Sequence, residues 1–370
     1  MTNRLDVAEP VDAEAIRQRF DATDAGTIGL EEEILILDRE TLMPVARAGD
    51  VVEVAGDPLV KVEMPSCQIE IISRPRHSAL DAVADLVRGR RLVAAACSEL
   101  GVVPAAATVH PVVAALGPSS SDRHRAIEAE FGEVARRQVV GSLQVHVALG
   151  DATCALAVYN TLRGYLPELA ALAASAPFYE GRDTGFASIR PLICGLLPRQ
   201  GVPPAFESWD EFAAALSWGR HSGSVPEPRR WWWELRPHIH FGTLEVRVPD
   251  VQATSVAAGS IAEVVSALVQ WLAARHHDGQ LPQAHPSWRI EENRWSALRD
   301  GVHGELADLT SGCREPTRDR LHRLLDDIEP CSPDGLDGGR ALIQRNGADE
   351  LRTVGLANAT AYLAEAFAAS

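Results

Sequence analysis

Residues 28–38 form a short run rich in β-formers, closed by a turn at 39–44, and residues 68–73, 141–149 and 243–248 alternate apolar with polar side chains, as half-buried strands do. Over 78–100 the spacing changes. Leu80, Val83, Ala84, Val87, Ala94 and Cys97 recur as they would on one helix face, with Ser78 at the N-cap and Gly101 in the place of a C-terminal glycine. Further helices are expected at 13–20, 124–138, 152–174 and 256–276, and one at 209–216 behind Ser208. Extended pieces are expected at 51–54, 60–63 and 102–109, with Pro65 breaking the sheet. Residues 231–235 and 243–248 read as adjacent antiparallel strands joined through 236–242, and 291–370 as mostly helical with a break at 330–339.

Strands scattered among unequal helices, without regular βαβ alternation, predict an α+β protein with a mainly antiparallel sheet. At roughly 150 residues per domain, 370 residues allow two domains or one large unit. With no repeat and no separating linker, the reading is a polar segment at 1–25 and one domain at 26–370.

Composition narrows the function. Thirty-five basic against 51 acidic residues give a net charge of −16, and Lys61 is the only lysine. Without a basic stripe a nucleic-acid partner is a poor fit, because phosphate neutralisation needs clustered cations. No long uncharged apolar run marks a membrane span, and residues 1–20 lack the apolar core of a signal peptide, so the expectation is a cytoplasmic protein. Six scattered cysteines without a CxxC pair are expected to be reduced packing thiols.

The chemistry lies in carboxylates on predicted strands, where buried acids are least expected. Period two puts Glu31 and Glu33 on one face of their strand, with Leu30, Glu32 and Ile34 on the other; Glu245 and Arg247 likewise share a face opposite Leu244, Val246 and Val248. With Glu63 and Glu70, four or five carboxylates would converge, and like charges that close need cations between them. All-oxygen ligation suits Mg²⁺ or Mn²⁺, which commonly also hold substrate phosphates. The plainer alternative is that each acid is a solvated strand-face residue paired with an arginine. Gln144 and His146 alternate onto one face, but a lone strand histidine is commonly structural. With no GxxxxGK[ST] and no GxGxxG opening a helix, phosphate would be held by metal and arginine. Trp231 and Trp233 should point one way, Trp232 and Glu234 the other, which suits sheet packing or an interface.

Several segments together resemble the carboxylate-amine ligases of the glutamate-cysteine ligase type 2 group, within the glutamine synthetase-like superfamily. They are Thr27-Ile28-Gly29-Leu30-Glu31-Glu32-Glu33, Gln144-Val145-His146-Val147, the run from Pro177 to Gly185, Arg236-Pro237-His238 through Phe241-Gly242-Thr243-Leu244-Glu245-Val246-Arg247, and Glu292-Asn293-Arg294-Trp295. The resemblance implies an antiparallel sheet bent into a half-barrel around metal-bound ATP, with helices outside, and an enzyme joining a carboxylate to an amine, glutamate and cysteine by default. Carried over by position, it implies Glu31, Glu33, Glu63, Glu70, Gln144, His146 and Glu245 as Mg²⁺ ligands, with Arg247 facing the ATP phosphates. It also makes Arg247 and Glu63 the catalytic residues. Arg190, Arg299 and Asn293 are candidates for holding nucleotide or substrate, against a role in surface ion pairs. One departure stands out, since the family commonly reads His-Val-His where this chain reads Gln144-Val145-His146. The implied partners are small amino-acid substrates and a homodimeric second copy. A phosphotransferase on the same metal site, or a metal-nucleotide binder without catalysis, are the competing readings.

Overall fold

In the computed structural model, which describes residues 11–113, 122–332 and 334–369, seven strands form one open sheet. They are β1 (Ile28–Asp38), β2 (Val60–Val62), β3 (Gln68–Ile72), β4 (Val102–Ala105), β5 (Leu143–Ala148), β6 (Leu235–His238) and β7 (Thr243–Val246). Their order is β2-β3-β1-β5-β7-β6, with β4 also paired to β1, and every pairing is antiparallel. The first ten residues of the expected N-terminal polar segment lie outside the described residues.

Each strand follows its sequence period. Leu30, Val145, Val246 and Leu235 lie opposite one another across four strands and are fully buried. Their face is covered by the helices Ala79–Glu99, Ala152–Leu162 and Ser255–His277. The last is long and apolar enough by length and composition to cross a membrane, but 61% of its apolar window is buried in the core. Leu30 and Ile34 on β1, Leu143, Val145 and Val147 on β5 and Leu244 and Val246 on β7 build this core, which leaves Glu31, Glu33, Gln144, His146 and Glu245 on the other face.

Two expectations need correction. Residues 51–54 lie in the helix Ala48–Ala55, where Ala48 and Val51 are buried one turn apart and Gly56, at φ 59°, supplies the left-handed stop. Their β-branched composition suggested a strand, and packing against the Ala79–Glu99 helix overrides it. The strand expected at 231–235 begins only at Leu235, because the indole of Trp231 is drawn into a core of Phe206 and Phe212. Sidedness survives the shift. Trp232 and Glu234 line the cleft while Trp231 and Trp233 pack together, ring centroids 4.7 Å apart.

Gly89 shows how closely helix and sheet approach. A Cβ there would lie 2.3 Å from Cγ2 of Ile71 on β3. Gly→Ala within a helix ordinarily gains up to about 1 kcal/mol. Here the sign should reverse, with Gly89→Ala losing about 1–3 kcal/mol through overpacking, to be read as a lower urea midpoint at unchanged slope.

Candidate active site

The polar face of the sheet carries a registered ladder of charge. Lys61 on β2 lies opposite Glu70 on β3, which lies opposite Glu33 on β1; Glu31 lies opposite Gln144 on β5; and His146 lies opposite Glu245 on β7, which lies opposite Arg236 on β6. Of these, Lys61, Glu70, Glu33, Glu31, Gln144 and Arg236 line a cleft of about 510 Å³, into which Glu63, beyond the end of β2, also faces, while His146 and Glu245 are buried in the sheet.

In and beside the ladder the acids, with His146, form two trios. Ligand atoms of Glu31, His146 and Glu245 lie within 4.8 Å of one another, as do those of Glu33, Glu63 and Glu70. The trios differ in how their charge is met. Glu245 is fully buried and accepts hydrogen bonds from Arg236 and Arg247. Burial alone would raise its pKa, but these guanidiniums outweigh burial and hold it well below the usual range. Glu31 behaves similarly: burial is overcome by the His146 ring 3.3 Å away, which brings it down to about 2.

The other trio has no arginine or lysine within ion-pair distance among the described residues; the His124 imidazole lies 3.9 Å from Glu63. Burial and then the Glu63 charge push Glu33 up to about 7, and burial with three neighbouring carboxylates pushes Glu70 well above its ordinary value.

These donor sets suit a hard divalent cation. His146 Nδ1 is engaged by the Thr243 hydroxyl at 3.0 Å, while Nε2 is buried, makes no hydrogen bond and sits beside Glu31. A ring fixed through one nitrogen with the other turned to carboxylates is how proteins orient an imidazole ligand. The remaining donors are carboxylate oxygens, the preference of Mg²⁺ and Mn²⁺.

Other expected site residues are placed differently. Arg190 borders the cleft, but its guanidinium is spent on Asp250 at 2.8 Å and on the carbonyls of Arg247 and Val248. It anchors the strand end that carries Arg247. Asn293 exchanges two hydrogen bonds with the Ala307 backbone, and Arg299 pairs with neighbouring Asp300 at the rim of a separate groove. Neither lines the cleft, because both sit on the Ser287–Asp300 helix away from the sheet face.

Residues that sequence reasoning passed over complete the site. Arg236 ties Glu245 to the carbonyls of Arg229 and Trp231, and Arg294 grips Glu234 on the cleft wall through three bonds of 2.7–2.9 Å. Ser142 donates to Glu33 through both its backbone N–H and its hydroxyl. Arg236 had a signal, since it alternates with His238 onto the face opposite Leu235.

Comparison with known proteins agrees with this geometry. The model of glutamate-cysteine ligase family 2 (GCS2) matches residues 27–344. A relative from Mycobacterium sp. (strain KMS) is 35% identical over 308 residues, covering 82% of this chain and 85% of its own. The glutamate–cysteine ligase of Natronomonas pharaonis is 35% identical over 300 residues, 79% of this chain and 82% of that one. Among solved structures, the glutamate–cysteine ligase of Francisella tularensis in complex with AMP aligns with TM-score 0.67 at 11% identity, covering 94% of this chain and 89% of that one. A bifunctional glutathione synthetase from Pasteurella multocida gives 0.66 at 14%, covering 96% and 54%. At those identities the two structures speak for the fold alone, whereas the family match spans most of the sequence and carries the acidic strands with it. The chain belongs to glutamate-cysteine ligase family 2 and is a carboxylate-amine ligase.

Proposed function

We propose that this enzyme joins the γ-carboxylate of glutamate to the amine of an amino acid, cysteine by default, in an ATP- and Mg²⁺-dependent reaction. The observation that supports this reading best is the pair of acidic trios on one sheet face with Arg247 beside them. A carboxylate does not react with amines directly, since its leaving group would be oxide. Its oxygen must first attack the γ-phosphorus of ATP, so that the bond to ADP breaks and an acyl phosphate forms. The amine nitrogen then attacks the acyl carbon, the C–O bond to phosphate breaks, and the amine's proton passes to a base.

Glu31, His146 and Glu245, with Glu33, Glu63 and Glu70, would hold Mg²⁺ or Mn²⁺, whose charge offsets that of the nucleotide phosphates. The rest falls to the chain itself. Arg247 offers charge-assisted hydrogen bonds to the transferred group, Arg236 and Thr243 keep Glu245 and His146 in place, and Glu63 is the candidate base at the cleft edge. The cleft holds both substrates close to the nucleotide, which supplies rate through orientation.

Incubation with ATP, Mg²⁺, glutamate and a panel of amines led by cysteine should release ADP and phosphate in step with a γ-glutamyl amide. No turnover with any amine refutes the reading, and a phosphorylated small molecule without amide would reassign the protein as a phosphotransferase.

A further inference from the structure

Gln144 occupies the centre of the ladder and is committed at both ends. Its Oε1 accepts from Nη1 of Arg247, and its Nε2 donates to Oε1 of Glu33 at 3.1 Å. The orientation is fixed by charge. Turning the amide over would set its NH₂ against a guanidinium and its oxygen against a carboxylate. A cation on Oε1 would share that one oxygen with the Arg247 guanidinium, placing two positive charges on a single acceptor.

Arg247 spends the same Nη1 on Glu245, so both of its side-chain bonds come from one nitrogen. Nε and Nη2 make no hydrogen bond among the described residues, and they form the edge that suits bidentate capture of an anion. Arg190, bonded to the Arg247 carbonyl, steadies the backbone beneath.

We propose that Gln144 is a positioning residue and not a cation ligand: its carboxamide holds Nη1 of Arg247 so that the Nε–Nη2 edge faces a phosphate in the cleft. This deepens the proposed function and rests on it. It also explains how this chain works with Gln at 144, since an amide can bridge guanidinium and carboxylate at once.

The test compares the full-length protein with Gln144→Met, which keeps length and removes both bonds, and Gln144→Glu, which keeps the acceptor. Mn²⁺ stoichiometry is read by electron paramagnetic resonance, and ADP affinity by calorimetry at saturating Mn²⁺. For Gln144→Met the Mn²⁺ stoichiometry should stay at the wild-type value while ADP binding weakens about ten- to a hundredfold, the worth of one hydrogen bond to a charged group. Gln144→Glu should recover ADP affinity to within a few-fold without changing the stoichiometry.

Loss of one Mn²⁺ equivalent in Gln144→Met, or gain of one in Gln144→Glu, makes residue 144 a ligand and overturns the inference. Unchanged ADP affinity in Gln144→Met overturns it as well. Should Gln144→Met not fold, the Gln144→Glu arm still separates the two roles. Wild-type protein that binds neither Mn²⁺ nor ADP brings down the proposed function itself, a failure visible before any variant is made.

Discussion

Glu245→Gln should cost at least about a hundredfold in cation affinity, beyond what changes behind the ligands usually cost, and about 3–5 kcal/mol of stability. The two losses have one origin. Glu245 is wholly buried, bonded to Arg236 and Arg247 and adjacent to His146. An amide of the same shape leaves two guanidiniums confined without their counter-charge. Against a typical 5–15 kcal/mol of total stability, the variant should still fold, with a clearly lower urea midpoint. Adding Arg236→Met removes one stranded charge, so the double variant should regain part of the stability but none of the cation binding, as calorimetry with Mn²⁺ would show. If the single variant binds Mn²⁺ and ADP like wild type, Glu245 is a structural acid and the trio containing it is not a cation site.

That experiment separates what was legible in the sequence from what was not. The period of two put Glu31 and Glu33, and Glu245 and Arg247, on common faces, because in a strand sidedness follows from position alone. Register is different. That Glu33 opposes Glu70 while His146 opposes Glu245 depends on strand order, which no local pattern encodes. Hence the acids could be grouped on one face but not divided into two trios.

Arg299 and Asn293 were misplaced for a related reason. Asn293 lies in a segment that carries the family resemblance and Arg299 follows it on the same helix, but that helix contributes Arg294, which reaches the cleft wall through Glu234, and not these two. On a helix, residues one apart point about 100° away from each other. The 51–54 segment shows the limit of composition, since valines fit a helix when tertiary packing buries every third or fourth position.

Removing Glu32 should be as damaging to the fold as removing Glu245 is to the site, although Glu32 touches no part of the cleft. It shares the helix-facing side of β1 with Leu30 and Ile34, is fully buried, and is held by Arg90 of the Ala79–Glu99 helix, with Nε to Oε2 at 2.9 Å. Arg90 also donates to the carbonyls of Gln252 and Ala253 beyond β7, and its guanidinium lies 4.9 Å from the Phe367 ring. One cation thus joins sheet, helix, a post-strand segment and the C-terminal helix Leu356–Ala368.

Glu32→Ala strands that cation and Arg90→Ala strands the acid, so each should cost about 3–5 kcal/mol. The apolar pair Glu32→Leu with Arg90→Met strands no charge. It should fall short of wild type by little more than the Gln252 and Ala253 carbonyls left without this donor, about 1–3 kcal/mol each at most, and so lie well above the sum of the single losses. Strictly additive losses in urea denaturation would mean that the two residues act separately. Because Glu31 and Glu33 flank Glu32 on the same strand, Glu32→Ala should also weaken Mn²⁺ binding while leaving every proposed ligand in the chain. That effect would be strongest near the unfolding midpoint, where β1 is least constrained.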